Sequence, residues 1–374
     1  MKAHLAEIIY SNSLTTTNDV RYLTGFVAPD PVLLIINQNR YYLIVSEMEE
    51  GRAKRETKNK VKVLTPKSLS LNEGKLNLVR IIQAVLEKIN IKMLITTKDF
   101  PVGLYKEIEK KGLHIRIKES DINKKRRRKN NIEINNIKQS QQAAIKAMKA
   151  AKNVLEKSQI KNNNQLFYNK RKLTSEIVRI EIQKTLLQLG CIGLDIIVAG
   201  GNQAVDPHER GTGPLKANQA IIIDIFPKNE KTGYWGDLTR TFCKGTPPNE
   251  LNKMYKTVLH AQKAALQNVK AGISCDQIHQ NINKHFENSG YITERVNNKN
   301  IGFIHGTGHG VGLDIHEAPR IGKSGDVLMA GDVITIEPGL YYPGIGGIRI
   351  EDTICITSKG YDSLGECPKK FILN

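Results

Sequence analysis

Two apolar runs, Pro31-Val-Leu-Leu-Ile-Ile36 and Arg40-Tyr-Tyr-Leu-Ile-Val45, flank Asn37-Gln-Asn39, and this arrangement predicts a hairpin near the start of the chain. Apolar residues recur at helical spacing from Leu76 to Ile89, and Lys92-Met-Leu-Ile-Thr96 follows as a strand. Strands alternating with helices to about residue 122 predict a small three-layer α/β arrangement. The pattern changes after Ile132. Ile134, Ile137, Ala144, Met148, Ala151 and Leu155 share one face of a long amphipathic helix. A second helix is expected over 175–189, with Thr174 as N-cap and Gly190 as its stop. Strands are expected over 220–226 and 235–242. Pro247-Pro248 then opens a helix running to about Asn268, and another covers 276–288, ended by Gly290. Residues 301–357 read as β-rich with glycine-rich connections. Helices and antiparallel strands segregate, which is an α+β pattern. Helix, helix, hairpin followed by the same series hints at an internal duplication.

Length and composition sharpen this picture. At 374 residues the chain exceeds one ordinary core, so two domains are expected. No apolar stretch approaches a membrane span, and the opening residues lack the apolar region of a signal peptide, so the expected compartment is the cytoplasm. The five cysteines, Cys191, Cys243, Cys275, Cys355 and Cys367, are scattered and form no C-x-x-C pair, as reduced thiols would be. The net charge of +19 raises nucleic-acid binding. Lys, Asn and Ile are abundant throughout, however, and the one dense cluster, Lys124-Lys-Arg-Arg-Arg-Lys129, has no interleaved aromatics. That block reads as a solvated linker, and nucleic acid is not the expected partner.

Candidate chemistry lies in acids that interrupt apolar runs. Residues of equal parity share a strand face, which puts Asp224 with Ile222 and Phe226, and Glu351 with Arg349 and Thr353. Asp237 and Glu337 sit in similar contexts. An ionised carboxylate is costly to bury without a counter-charge. Arg240, Arg320 and Arg349 are the evident bases, too few for four acids, so divalent cations are the simplest counter-charge. Four oxygen donors and one imidazole favour manganese, cobalt, iron or zinc over copper, and make calcium a poor choice. Two ions bridged by carboxylates would let a shared water lose a proton near neutral pH.

The histidines sort by position. His305 and His309 have equal parity and can point at one site. His316 lies at an odd offset from His309, so a turn or bulge must intervene if it is to reach the same place. His208 stands in a loop ahead of the Asp224 strand.

His305-Gly-Thr-Gly-His309-Gly-Val-Gly-Leu-Asp-Ile-His316-Glu-Ala-Pro319 and Gly233-Tyr-Trp-Gly-Asp237-Leu-Thr-Arg-Thr241 resemble the pita-bread metallopeptidases, most closely the Xaa-Pro branch of aminopeptidase P and prolidase. The resemblance is strong over 130–360. It extends into the first 122 residues through Asp19-Val-Arg-Tyr-Leu-Thr-Gly-Phe26, which looks like that family's creatinase-like N-terminal domain. It implies an α/β domain over 1–122, a basic linker over 123–131 and an α+β pita-bread catalytic domain over 132–374. By the resemblance Asp224 chelates one ion, Asp237 and Glu351 bridge a pair, and His309 and Glu337 complete the second. The ions would be Mn2+ first, with Co2+, Zn2+ or Fe2+ as alternatives. Glu337 would also shuttle a proton. His208 and His316 would steady the substrate and the oxygen of the tetrahedral intermediate, and His305 would line the proline pocket. Arg349 would hold Glu351 or reach toward a substrate carboxylate.

The implied reaction is metal-dependent hydrolysis of the bond between an N-terminal residue and a following proline, by a homodimer acting on peptides with proline second. A methionine aminopeptidase, or a catalytically inactive peptide- or nucleic-acid-binding relative, is the alternative. Two departures bear on the pocket. Phe226 stands where the family has glycine, and Asp224 and Asp237 lie thirteen apart, two more than usual. Two extra residues lengthen a turn without changing parity.

Overall fold

A computed structural model describes residues 5–71, 77–296 and 298–374. The chain divides into two compact units, 1–124 and 125–374. The first holds strands β1 (Leu5–Tyr10), β2 (Leu33–Asn37), β3 (Arg40–Ile44), β4 (Val61–Leu64), β5 (Met93–Thr96) and β6 (His114–Ile117). They form one mixed sheet in the order β4-β3-β2-β1-β5-β6. The expected hairpin is β2–β3, with Leu33 opposite Ile44, and Gln38 turns the chain at φ 56°. Period-two alternation feeds both faces. Ile8, Leu33, Ile35 and Leu94 pack on one side with Ile82 and Ile108, while Ile9, Leu34 and Leu43 pack on the other with Val20 and Phe26. The expected helix of the Leu76–Ile89 segment spans Leu78–Ile89, capped by the Asn77 side chain. Leu76 and the first four residues lie outside the described ones.

The second unit is built on helices Asn131–Lys157, Ser175–Gln188, Asn249–Asn268 and Cys275–Asn288. The first begins with a capping box between Asn130 and Glu133, and Thr174 caps the second, as expected. Strand Ile221–Ile225 lies between Ile197–Gly200 and Leu238–Lys244, antiparallel to both. Ile221, Ile223 and Ile225 enter one core and Ile222 the other. Each buried isoleucine stabilises the fold by about 1.5–3 kcal/mol, and together they carry Asp224 into the interior. A second sheet joins Gly308–Gly310, Glu317–Ile321, Val333–Ile336 and Asp352–Ile356. Ile348, Ile350, Ile354 and Ile356 fill one core, which leaves Glu351 on the opposite face.

Two expectations change. The strand expected from Trp235 begins at Leu238. A Cβ on Gly236 would lie 2.6 Å from the Gln141 backbone nitrogen, so the chain passes tight against the long helix and bends there before pairing. The basic run is not solvated throughout. Arg126 and Lys129 are buried, because acids distant in sequence surround them: Asp314 and Glu317 pair with Arg126, and Glu317 pairs with Lys129.

Candidate metal centre

Each ligand candidate is fixed through its backbone by a neighbour from another element. Asp224 sits opposite Ile197 on one side and Thr239 on the other. Asp237 is gripped by the buried amide of Gln141, which accepts from its N–H at 2.8 Å and donates to its carbonyl at 2.9 Å. The Thr353 hydroxyl donates to that carbonyl as well. Glu351 lies in the break between strands Gly346–Arg349 and Asp352–Ile356, with its N–H on the Thr239 carbonyl. The Thr239 hydroxyl donates to Glu351 Oε2 at 2.7 Å. Glu337 follows strand Val333–Ile336. Its N–H donates to Thr307, and its Oε1 accepts from the Thr335 hydroxyl at 3.3 Å.

The strand register places these groups together. His309 Nε2 lies 3.4 Å from Glu337 Oε1 and 3.6 Å from Asp237 Oδ2. Ligand atoms of Asp237, His309 and Glu351 all fall within 4.8 Å of one another. His309 Nδ1 lies 3.2 Å from the Gly310 carbonyl. That partner fixes the tautomer with hydrogen on Nδ1 and leaves the Nε2 lone pair facing the acids, the form a metal takes.

Electrostatics favours a cation here. Loss of solvent raises the Asp237 carboxyl well above its ordinary range, and repulsion from Glu351, Asp224 and Glu337 adds to it. Glu351 is raised in the same way, by burial first and then by Glu337 and Asp224. Burial brings Glu337 to about 7. Burial also lowers His309 to about 4, so the imidazole is neutral and offers no positive charge. Asp224 alone among the four acids meets a guanidinium, with Arg349 Nη2 at 2.7 Å. Its other oxygen, Oδ1, is buried with no hydrogen-bond partner among the described residues. An orphaned buried carboxylate oxygen beside three acids lacking a base is the donor set a divalent cation fits.

The remaining predicted residues fall around this cluster. A register shift at His309/Gly310 supplies the expected bulge, and the His316 ring meets the His309 ring edge-to-face at 4.3 Å. His305 Nε2 lies 2.9 Å from Tyr341 Oη, with Phe303 against its ring. Burial drives His305 down to about 3. His208 is exposed on its loop and is an electrostatic neighbour of His305, His316 and Glu337. Phe226 is half-buried just past the Asp224 strand. Arg349 pairs directly with Asp224 and the Tyr341 hydroxyl, and it reaches Glu351 through Thr239, whose hydroxyl accepts from Arg349 Nε at 3.4 Å and donates to Glu351. Arg240 is taken up by Asp352 and Arg320 is exposed, so neither offsets the cluster.

Sequence reasoning missed Gln141, Thr239, Thr335 and Tyr341 as supports. Thr239 and Tyr341 carried a signal, since both share strand parity with an expected ligand or its anchor. Gln141 carried one as well: a polar residue on the apolar face of its helix.

A two-unit α/β and α+β chain that gathers four acids and an imidazole at strand ends defines a metal-dependent enzyme fold. Residues 135–358 match metallopeptidase family M24, and residues 8–120 match the Creatinase/Prolidase N-terminal domain. The chain belongs to metallopeptidase family M24, and membership implies use of a divalent metal. An uncharacterised peptidase of Staphylococcus aureus is 36% identical over 206 residues, covering 53% of this chain and 54% of its own length. The Xaa-Pro dipeptidase of Pyrococcus furiosus is 37% identical over 183 residues, covering 48% of this chain and 49% of its own. The chain thus spans about half the length of the curated relatives it matches. Among solved structures, the prolidase from Pyrococcus horikoshii superposes with TM-score 0.81 at 28% identity, over 98% of this chain and 95% of that one. The Xaa-Pro dipeptidase from Bacillus anthracis gives TM-score 0.82 at 25% identity, over 98% and 94%.

Proposed function

We propose that the protein hydrolyses the peptide bond between an N-terminal residue and a following proline, as an Xaa-Pro dipeptidase or aminopeptidase. Asp224, Asp237, His309, Glu337 and Glu351 would hold two divalent ions, with Mn2+ the first choice. The observation that carries this reading is the meeting of His309 with Asp237, Glu337 and Glu351, beside an Asp224 oxygen with no hydrogen-bond partner among the described residues. The names of the similar structures and of the Pyrococcus relative support the proline-directed substrate.

When bound, the cations neutralise the carboxylates and act as Lewis acids toward water and the scissile carbonyl. The chain's own groups do the rest. Glu337, steadied at Oε1 by Thr335, takes a proton from the attacking water and returns it to the proline nitrogen, which leaves as an amine. His208 and His316 donate hydrogen bonds to substrate and to the developing oxyanion. His305 presents an apolar face between Phe303 and Tyr341, suited to the proline ring. Arg349 orients Asp224.

The test is proline release from Xaa-Pro dipeptides and from longer Xaa-Pro-Yaa peptides with added Mn2+. No turnover on any of them with metal bound overturns the proposal, and the dependence on peptide length separates dipeptidase from aminopeptidase action. A cytoplasmic homodimer is the form proposed. In support of the compartment, all five cysteines are free thiols, and no described helix is long and apolar enough to cross a membrane.

A further inference from the structure

The basic run between the α/β segment and the long helix performs a task that its composition hides. His316 is flanked by two acids, Asp314 and Glu317, within a stretch whose residues 312–316 form bends and no regular element. Arg126 Nη2 lies 2.8 Å from Asp314 Oδ2 and 2.8 Å from Glu317 Oε2. Lys129 Nζ lies 2.6 Å from the other Glu317 oxygen, Oε1. Two acids thus meet two bases. The Arg126 and Lys129 side chains are 4% and 1% exposed, too enclosed for the pairs to count as surface decoration.

The same loop is tied elsewhere. The Trp235 indole N–H donates to the Leu313 carbonyl at 3.0 Å, and Trp235 N–H donates to the Gly312 carbonyl. Glu317 folds back over Gly312 so closely that a Cβ there would lie 2.3 Å from Oε1. The carboxylate held by Lys129 therefore forms the floor of the turn that delivers His316 to His309.

Buried ion pairs contribute little net stability, because desolvation offsets their attraction, whereas removing one partner leaves a costly buried charge. Such pairs fix geometry. We propose that Arg126 and Lys129 are positioning residues for His316, holding the His316 loop through Asp314 and Glu317 so that the imidazole stands at the edge of the His309 ring. The inference rests on the proposed role of His316 toward substrate.

Lys129→Met tests it in the full-length, Mn2+-loaded protein. The expected result is a fall in kcat on an Xaa-Pro dipeptide of about tenfold to a hundredfold, the usual effect of a misplaced group. KM should change less, the Mn2+ dissociation constant should stay within twofold, and Lys129→Arg should restore most of kcat. In histidine-labelled, chelated protein, His316 ring resonances, assigned with H316Q, should move in Lys129→Met while those of His279 stay. The inference is overturned if kcat stays within twofold, if the loss tracks a loss of Mn2+ affinity, or if the His316 resonances do not move. Should Lys129→Met fail to fold, Glu317→Gln keeps the side-chain shape and is judged by the same thresholds. A wild-type protein inactive on every Xaa-Pro substrate would defeat the functional reading, and the resonance measurement would still judge the positioning.

Discussion

Arg349 donates to Asp224 at 2.7 Å from a position 125 residues downstream, and this pairing separates Asp224 from the other three acids of the cluster. Asp237, Glu337 and Glu351 form no ion pair with Lys or Arg among the described residues. One acid is thus neutralised by protein, and the other three have no basic partner of that kind among the described residues. Arg349→Met should therefore destabilise the chelated protein by about 3 kcal/mol, the order expected for breaking a buried pair. With saturating Mn2+ the loss should shrink, because a cation then compensates Asp224. Urea midpoints with and without chelator check this, and equal losses in both would show that Asp224 does not face the metal.

The same imbalance sets a pH dependence. Burial raises Glu337 to about 7 from an ordinary 4.5, and burial with mutual repulsion raises Asp237 and Glu351 well above their ordinary values. In the metal-free protein these acids hold protons that the unfolded chain has released, so they make stability fall as pH rises, whereas His305, His309 and His316, lowered by burial, make it rise up to the ordinary histidine value of 6.5. Bound cations reverse the preference, since they require the deprotonated acids. The rise in melting temperature that saturating Mn2+ gives over chelator should therefore grow from pH 5.5 to 7.5. Parallel pH profiles in the two conditions would contradict a cation among these carboxylates.

The ligand candidates were legible because strand parity is local. An acid in an isoleucine run announces its face, as Asp224 and Glu351 do. Their supports were less legible, because each joins residues that only the folded sheet brings together. Gln141 reaches Asp237 across 96 positions and Thr239 reaches Glu351 across 112. The basic run misled for a related reason. A block of like charge is usually solvated, and nothing near 124–129 reveals that Asp314, Glu317 and Asp332 lie about 190 to 205 positions away with matching charge. The strand expected from Trp235 failed on a tertiary contact, the close pass of Gly236 against the helix, which hydrophobic pattern cannot encode.

Thr239 connects two ligand candidates. Opposite Asp224 in the sheet, its hydroxyl donates to Glu351 Oε2. Thr239→Val keeps the shape and removes the hydroxyl, so Glu351 should lose its fixed orientation. Loss of such an outer partner typically lowers metal affinity about tenfold to a hundredfold. Competition with a chromophoric chelator measures this, and Thr239→Ser should recover the affinity. An unchanged dissociation constant would mean that Glu351 is oriented without Thr239.

Gly236 supports Asp237 by being small. An added Cβ would lie 2.6 Å from both the Ser140 carbonyl carbon and the Gln141 nitrogen, backbone atoms that cannot swing aside. Gly236→Ala should push the turn off the helix and break the paired Gln141–Asp237 hydrogen bonds. A loss of metal affinity larger than the loss of chelated-protein stability is expected. The reverse order would make Gly236 a folding residue without a part in the centre.

Tyr341 carries a directional hydrogen-bond chain. Arg349 Nη1 donates to Tyr341 Oη at 2.8 Å, so the tyrosine hydrogen goes to His305 Nε2 at 2.9 Å, and His305 Nδ1 donates to the Gly306 carbonyl at 2.7 Å. Burial pushes the Tyr341 phenol up to about 12 and His305 down to about 3, so neither link changes charge between pH 5 and 9. Tyr341→Phe keeps the ring against His305 but leaves the Arg349 donor and the His305 acceptor without their partner. An unmet buried polar group costs about 1–3 kcal/mol. If the chain fixes the His305 face for the proline ring, the cost should fall on substrate recognition: kcat/KM on Xaa-Pro substrates should drop about tenfold or more, mostly through KM, with Mn2+ affinity preserved. A loss confined to kcat would place Tyr341 in the chemical step through Arg349 and Asp224, and would remove His305 from the proline pocket.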